Sequence, residues 1–171
     1  MNLYYQGKAL LDSGNIDEAM RAFIQGQEAG QIYCAYGLLA ATAMGGGDCT
    51  AAIAQLHSVL PQLLRMADDG DVDACFIIGR CYETGCAAVP DIQEAMRYYT
   101  RAAAKGNLDA MFNLGCIYIR FGGSGALIAR DYFHAAAGQG HRHAQLALSH
   151  YYKEEGNADL STFWRQKAAQ Q

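Results

Sequence analysis

The feature that most constrains the fold of this chain is an internal repeat. A pattern of small, aliphatic and aromatic residues recurs along the 171-residue sequence with nearly constant spacing. Its clearest copy begins at Ala74, and the next two copies begin 36 and then 34 residues later. The three copies read Ala74, Ile78-Gly79, Tyr82, Gly85; Ala110, Leu114-Gly115, Tyr118, Gly122; and Ala144, Leu148-Ser149, Tyr152, Gly156. Such a period is typical of a chain that stacks one supersecondary unit several times.

The spacing inside each copy indicates two helices. Ala74, Ile78 and Tyr82 are four residues apart, so they line one stripe of a first helix. Gly85 is placed to end that helix, and Asp91 is a suitable amino-terminal cap for a second one. Because neither helix can bury its apolar stripe alone, we expect successive pairs to stack side by side.

The composition agrees with a chain of short helices. The sequence has two prolines and 19 glycines, and glycine ends helices whereas proline disrupts their interiors. Alanine runs at 102–104 and 135–137 favour helix, and the scarcity of valine argues against a sheet. We therefore predict an all-α fold, an α/α superhelical solenoid of about five antiparallel helix pairs. We expect it to form a single domain with repeats at approximately 1–31, 32–71, 72–107, 108–141 and 142–171.

The second repeat departs from the others. Its second helix, between Gly47 and Gly70, is longer than its counterparts and contains Pro61. Proline inside a helix removes a backbone hydrogen bond and clashes with the carbonyl four residues earlier, here that of His57. The sequence therefore predicts a kink or a break near Ser58–Pro61.

The period and these residues resemble the Sel1-like repeat, a relative of the tetratricopeptide repeat. The segment 74–106 is a close match, although Ala88 precedes Val89 where the family usually has glycine. The resemblance covers essentially the whole chain and is weakest in the second copy. It implies a right-handed superhelix that acts as a protein-binding scaffold or adaptor, often in bacterial signalling, secretion or host interaction. Some cysteine-rich members carry a disulfide in every repeat, but Ala103 and Ala137 occupy the corresponding positions here.

Charge and hydropathy disfavour two classes of partner. The formal net charge is −4 and no run of basic residues occurs, so nucleic-acid backbones are poor candidates. No segment approaches the roughly 18 unbroken apolar residues of a spanning helix. Residues 1–8 lack the basic and apolar regions of a secretory signal. We expect a cytoplasmic protein that binds another protein or a peptide, without membrane insertion, nucleic acid or a cofactor.

The six cysteines allow two interpretations. They could form three disulfides in a secreted protein, or they could be reduced thiols that behave as small hydrophobes. No Cys-x-x-Cys pair of the kind used in zinc or redox sites occurs among them. Without a secretory signal, free thiols are expected at Cys34, Cys49, Cys75, Cys81, Cys86 and Cys116.

Two chemical alternatives are weaker than a binding function. His143 and His150 are seven residues apart and could share a helix face, but no carboxylate or cysteine is placed to complete a metal site. Cys81 or Cys116 could be a nucleophile, yet local spacing positions no base beside either of them. We therefore expect neither a metal site nor an enzyme, and a hydrolase of the cysteine-rich repeat type is the least favoured alternative.

The first helices are expected to carry the partner-binding surface. In solenoids of helix pairs these helices line the concave face, and residues off the packing stripe point into it. Counting from the Gly79 position predicts the following face: Tyr4, Lys8, Asp73, Phe76, Arg80, Asp109, Phe112, His143 and His150.

Phe76 and Phe112 are the informative members of this set, because packing does not require an aromatic residue at their position. They could be binding anchors roughly 10 Å apart in adjacent repeats, or they could be half-buried between the repeats. Two functions remain open. The chain could be a scaffold or adaptor, or it could be an inhibitor such as a bacterial immunity protein that occludes a toxin.

Overall fold

The computed structural model describes residues 2–170. Ten α-helices joined by turns make up this part of the chain, and it contains no strand. The predicted all-α repeat fold is confirmed. Each predicted repeat range contains two of the helices. They are α1 (Leu3–Asp12), α2 (Ile16–Glu28), α3 (Cys34–Met44), α4 (Thr50–Asp68), α5 (Val72–Thr84), α6 (Ile92–Ala103), α7 (Leu108–Phe121), α8 (Gly125–Ala137), α9 (Arg142–Glu154) and α10 (Ala158–Ala169).

Short polar side chains set where several helices begin. Asp71 and Asn107 each accept a hydrogen bond from the backbone N–H three residues further on, at 2.9 and 2.8 Å, and so cap α5 and α7. Asp91 accepts two backbone N–H groups of α6, at 2.9 and 3.1 Å, which confirms its predicted role. Gly85 follows the last residue of α5 with φ of 75°, a left-handed conformation that glycine adopts without strain.

The chain divides into two compact units, residues 1–95 and 96–171. In the first unit the core around α1, α2 and α3 is built on Phe23, which is 1% exposed. A Cβ atom added at Gly7 on α1 would lie 2.5 Å from the Phe23 ring, and one added at Gly37 on α3 would lie 2.3 Å from it. The two glycines therefore let the Phe23 ring approach the backbone of both helices.

The second unit uses the same arrangement. A Cβ atom added at Gly115 on α7 would lie 2.4 Å from the ring of Phe133 on α8. Phe133 is 3% exposed and packs with Ala129, Ala136 and Leu148 in a buried cluster. Gly115, which holds the position of Gly79 in the repeat pattern, thus lets the ring of Phe133 approach the backbone of α7.

Of the predicted kink or break near Ser58–Pro61, the break is wrong, because α4 runs without interruption from Thr50 to Asp68. Pro61 is exposed, whereas Leu56 and Leu63 on either side of it are both fully buried. Burial of each leucine contributes about 1.5–3 kcal/mol. Together they offset the roughly 3 kcal/mol that proline costs inside a helix, so the helix continues through it.

Candidate functional site

The first helix exposes a different tyrosine from the one that the sequence predicted. Tyr4 is 4% exposed, and its ring centroid lies 5.5 Å from that of Tyr33. Tyr4 shares a stripe with the buried Gly7 three residues later, so it is a core residue rather than a residue of a binding face. Tyr5 is 52% exposed, and its hydroxyl donates a hydrogen bond to the carboxylate of Asp73 on α5. That bond, with partial burial, raises the pKa of Tyr5 to about 12.

Arg80 on α5 is the centre of a hydrogen-bonded cluster in the first unit. Its Nε donates to the hydroxyl oxygen of Tyr36 on α3 at 3.3 Å, and its Nη1 donates to a carboxylate oxygen of Glu83 at 3.2 Å. The Arg80 side chain is nevertheless 34% exposed. Two hydrogen bonds therefore orient the guanidinium group while part of the side chain stays accessible. We call the set Tyr5, Tyr36, Asp73, Arg80 and Glu83 the Tyr5–Arg80 patch.

For Phe76 the sequence left two interpretations open, an exposed binding anchor or a residue half-buried between repeats. It is 7% exposed, and its ring meets the ring of Tyr36 edge-on, with centroids 6.1 Å apart and an interplanar angle of 90°. Phe76 therefore packs against Tyr36 of the Tyr5–Arg80 patch and is not itself an exposed anchor. Lys8 on α1 is half-buried. The proposed pairing of Phe76 with Phe112 stays a prediction.

In the second unit, Phe112 on α7 lies among rings of α8 and the start of α9. Its centroid is 5.8 Å from that of Phe133, 5.2 Å from that of His141 and 5.9 Å from that of His143. Phe133 is buried and His143 is exposed, so the half-buried Phe112 ring connects the core to the surface. We call Asp109, Phe112, His141 and His143 the Phe112 patch.

His141 is the member of this patch that the sequence analysis did not predict. Its Nδ1 accepts the backbone N–H of Ala144 at 3.1 Å and caps α9, and its Nε2 lies 3.1 Å from Oδ1 of Asp109. Since Nδ1 is an acceptor, the ring proton is on Nε2, which donates to the carboxylate. The signal was available in the repeat, because His141 occupies the cap position that Asp71 and Asn107 hold in the preceding copies.

His150 points away from any such cluster. Its side chain is 77% exposed, and its Nε2 lies 4.0 Å from a carboxylate oxygen of Glu154. Within residues 2–170, no group of three or more His, Cys, Asp or Glu side chains is arranged to hold a metal ion. None of the helices described in the same range has both the length and the apolarity to cross a bilayer.

A concave feature of the first unit lies between the end of α2, the start of α3 and α4. It has a volume of about 370 Å³, and glutamines 27, 31, 55 and 62 contribute to its lining. Gln27 Nε2 donates to Gln55 Oε1 at 2.7 Å, and Gln31 Oε1 accepts the backbone N–H of Leu3 at 2.8 Å. Amide side chains can bind a ligand but supply neither an acid nor a base. No sequence pattern marked this depression, since its residues are scattered over three helices.

This chain resembles known proteins in its structure. No protein-family model and no curated protein matches the sequence. A Sel1 repeat protein from Oxalobacter formigenes has a similar crystal structure, with a TM-score of 0.59 and 29% sequence identity. The match covers 64% of this chain and 88% of that protein.

Two further solved structures share the fold. One is c5321, a protective antigen of uropathogenic Escherichia coli strains that displays an SLR fold, with a TM-score of 0.58 and 21% identity. That match covers 99% of this chain but only 45% of the antigen. The other is MamA, with a TM-score of 0.50 and 19% identity over 96% of this chain and 92% of that one. Two of these three structures are thus described as a Sel1 repeat protein and a protein with an SLR fold.

Proposed function

We propose that this chain, since it is a Sel1-like repeat protein, is a scaffold or adaptor that binds a partner protein through the first helices of its repeats. The observation that carries the proposal is that the Arg80 side chain is both ordered and partly exposed. Its guanidinium is oriented by Tyr36 and Glu83, at 3.3 and 3.2 Å, while 34% of the side chain remains exposed. Arginine and tyrosine are frequent in protein-binding hot spots, and a side chain that is already ordered loses less entropy on binding.

The Phe112 patch supports the same function in the second unit. It combines a half-buried aromatic ring with an exposed histidine and a carboxylate. An apolar centre with a polar rim is the usual composition of a protein interface. We infer that Phe112 and His143 contact the partner while Asp109 and His141 hold the start of α9 in place.

The geometry of His141 argues against catalysis at this patch. A histidine beside an aspartate could act as a general base, with the aspartate carboxylate holding the imidazole in the required orientation. Here Nε2 faces Asp109, and Nδ1 already accepts the Ala144 N–H at 3.1 Å, so neither ring nitrogen is left to take a proton from a substrate. The pair therefore caps and orients a helix, and we propose that the protein acts by binding.

The proposal is tested by identifying the partner and measuring its affinity. The full chain would be used for affinity capture in the organism that encodes it, and the captured partner would then be purified and titrated by calorimetry. Arg80→Ala and His143→Ala should each weaken binding by about 2 kcal/mol or more, which corresponds to roughly 30-fold, if these residues belong to the hot spot.

Matched controls are available on the second helices. Arg21 on α2 and His57 on α4 are exposed residues of the same types. Arg21→Ala and His57→Ala should change the affinity by less than about twofold, as expected for positions outside the interface. If these two variants weaken binding and Arg80→Ala and His143→Ala do not, the partner uses the second helices. If no partner is captured reproducibly, the scaffold function itself is contradicted.

A further inference from the structure

The helix α10 of the second unit has an apolar face that stays exposed. Leu160 and Phe163 on this face are 37% and 46% exposed. Lys167 lies one turn further along the helix, and its Nζ is 5.8 Å from the centroid of the Phe163 ring. Another side of α10 packs on α9, where the hydroxyls of Ser149 and Ser161 each donate to the backbone carbonyl of the other residue at 2.8 Å. We call Leu160, Phe163 and Lys167 the α10 face.

In the preceding repeat the corresponding positions are covered by the next helix. Leu160 and Lys167 align with Ala129 and Ala136 of α8 when the aromatic pairs of the two helices are aligned. Both alanines are 0% exposed, and they pack in one cluster with buried residues of α9. In α10 the same two positions carry larger side chains and are exposed. The α10 face is thus a surface of the kind that, one repeat earlier, packs against a helix.

The side chains of the α10 face specify the chemistry of a helix that would cover it. Leucine and phenylalanine require apolar neighbours, whereas the ammonium group of Lys167 requires a carboxylate. The helix α10 itself carries that combination, because Asp159 is four residues before Phe163 and Lys167 is four residues after it. Within residues 2–170, neither Asp159 nor Lys167 forms an ion pair. A second α10 therefore matches the first in both apolar surface and charge.

We propose that two copies of this chain associate through their α10 faces, with the two helices antiparallel and the two Phe163 rings at the two-fold axis. The rise of about 1.5 Å per residue places Asp159 and Lys167 about 6 Å to either side of Phe163 along the helix. Antiparallel packing then brings Asp159 of each copy opposite Lys167 of the second copy. The same surface is used on both copies, so the assembly closes at two. It leaves the first helices, which the proposed function uses, outside the contact.

The oligomeric state of the full chain is the direct test. One helix face from each copy is a small interface, so we expect a dissociation constant in the micromolar range. Sedimentation velocity from about 5 μM to about 500 μM should show the weight-average mass rising from that of one chain to that of two, as mass action requires. A chain that stays monomeric over this range, or that forms species larger than a dimer, would overturn the proposal.

Exchange of the two charges tests the antiparallel arrangement. Lys167→Glu should raise the dissociation constant at least about tenfold, because it places two carboxylates opposite each other. Asp159→Lys should do the same by placing two ammonium groups together. The double variant Asp159→Lys/Lys167→Glu exchanges the charges and restores both ion pairs, so its dissociation constant should return to within about threefold of the native value. A double variant no tighter than the two single variants would contradict the proposed pairing.

A substitution at the two-fold axis tests the apolar contact. Phe163→Glu should raise the dissociation constant at least about tenfold, since it places two carboxylates where two rings meet. Arg165→Glu is the matched control, because Arg165 is exposed on the same helix but lies on a different side of it, and it should change the constant by less than about twofold. Circular dichroism of each variant checks that the helices are retained. A folded Phe163→Glu variant that dimerises with the native affinity would show that another surface joins the copies and would overturn the proposal.

Discussion

At the scale of single residues, Phe23 shows how one side chain joins neighbouring repeats. Its ring lies against Gly7 of its own repeat and against Gly37 of the next one, with room for no Cβ atom at either position. Replacing glycine by alanine inside a helix ordinarily stabilises a protein by about 0.5–1 kcal/mol. At Gly37 the added carbon would lie 2.3 Å from the ring, and forcing extra volume into a packed core costs about 1–3 kcal/mol. The steric cost should therefore exceed the gain in helix propensity.

We predict that Gly37→Ala lowers the free energy of unfolding by about 1–2 kcal/mol, as measured by urea denaturation. The Phe23→Leu background is the control, because a smaller side chain leaves space for the methyl group. In that background Gly37→Ala should lower the free energy of unfolding by less, or should raise it. The difference between its effects in the two backgrounds is the coupling energy between positions 23 and 37. An increase in stability on Gly37→Ala in the otherwise native chain would contradict the packing described here.

At the scale of secondary-structure elements, α4 shows tertiary packing overriding a local signal. Proline inside a helix leaves the carbonyl four residues earlier without its usual donor, and this local rule predicted a kink or a break. The helix persists because the buried stripe on either side of Pro61, at Leu56 and Leu63, is continuous only if the chain stays helical. The proline is thus tolerated on the exposed face at a cost in stability.

Pro61→Ala should consequently raise the free energy of unfolding by about 1–3 kcal/mol, since alanine restores the backbone donor and has the highest helix propensity. Thermal and urea unfolding monitored by circular dichroism would measure the change. Gln62→Ala, a substitution at the next exposed position, should stay within about 0.5 kcal/mol of the wild type. A loss of stability in Pro61→Ala would mean that the proline makes a contact which the helix needs.

At the scale of the whole molecule, the repeats determine how stability is distributed. In repeat proteins each unit contacts mainly its sequence neighbours, so the total stability is approximately a sum of repeat and interface contributions. The packing clusters follow this pattern within each compact unit. Phe23 packs in a cluster built from α1, α2 and α3. Phe133 packs in one built from α7, α8 and α9, with Trp164 of α10 packed against it.

We predict that Phe23→Ala, a substitution expected to cost about 3–5 kcal/mol, removes hydrogen-exchange protection mainly from α1, α2 and α3. Phe133→Ala is the reciprocal variant and should remove protection mainly from α7, α8 and α9. Native-state exchange followed by mass spectrometry resolves the two patterns. A uniform loss of protection in all ten helices for either variant would show that the chain unfolds as one cooperative unit.

The sequence by itself determined the repeat, the helix pairs and several helix boundaries. These features depend on short-range physics. The four-residue spacing from Ala74 to Tyr82 defines a helical stripe, Gly85 supplies the left-handed conformation that ends α5, and Asp91 supplies the cap of α6. Each of these is a property of a few consecutive residues, so it could be recognised without knowledge of the neighbouring helices.

Only the tertiary structure decided which side chains a partner could reach. Tyr4 was predicted on the binding face, and Phe76 was left open between a binding anchor and a half-buried residue. Both are buried, whereas Tyr5 is exposed. The repeat pattern locates the centre of a packing stripe, but the edge of that stripe depends on how far the next helix extends over it. The contact between Arg80 and Tyr36, which are 44 residues apart in sequence, likewise depends on how neighbouring helices pack. Contacts between helices are long-range in sequence and depend on packing geometry, which a local periodicity does not contain.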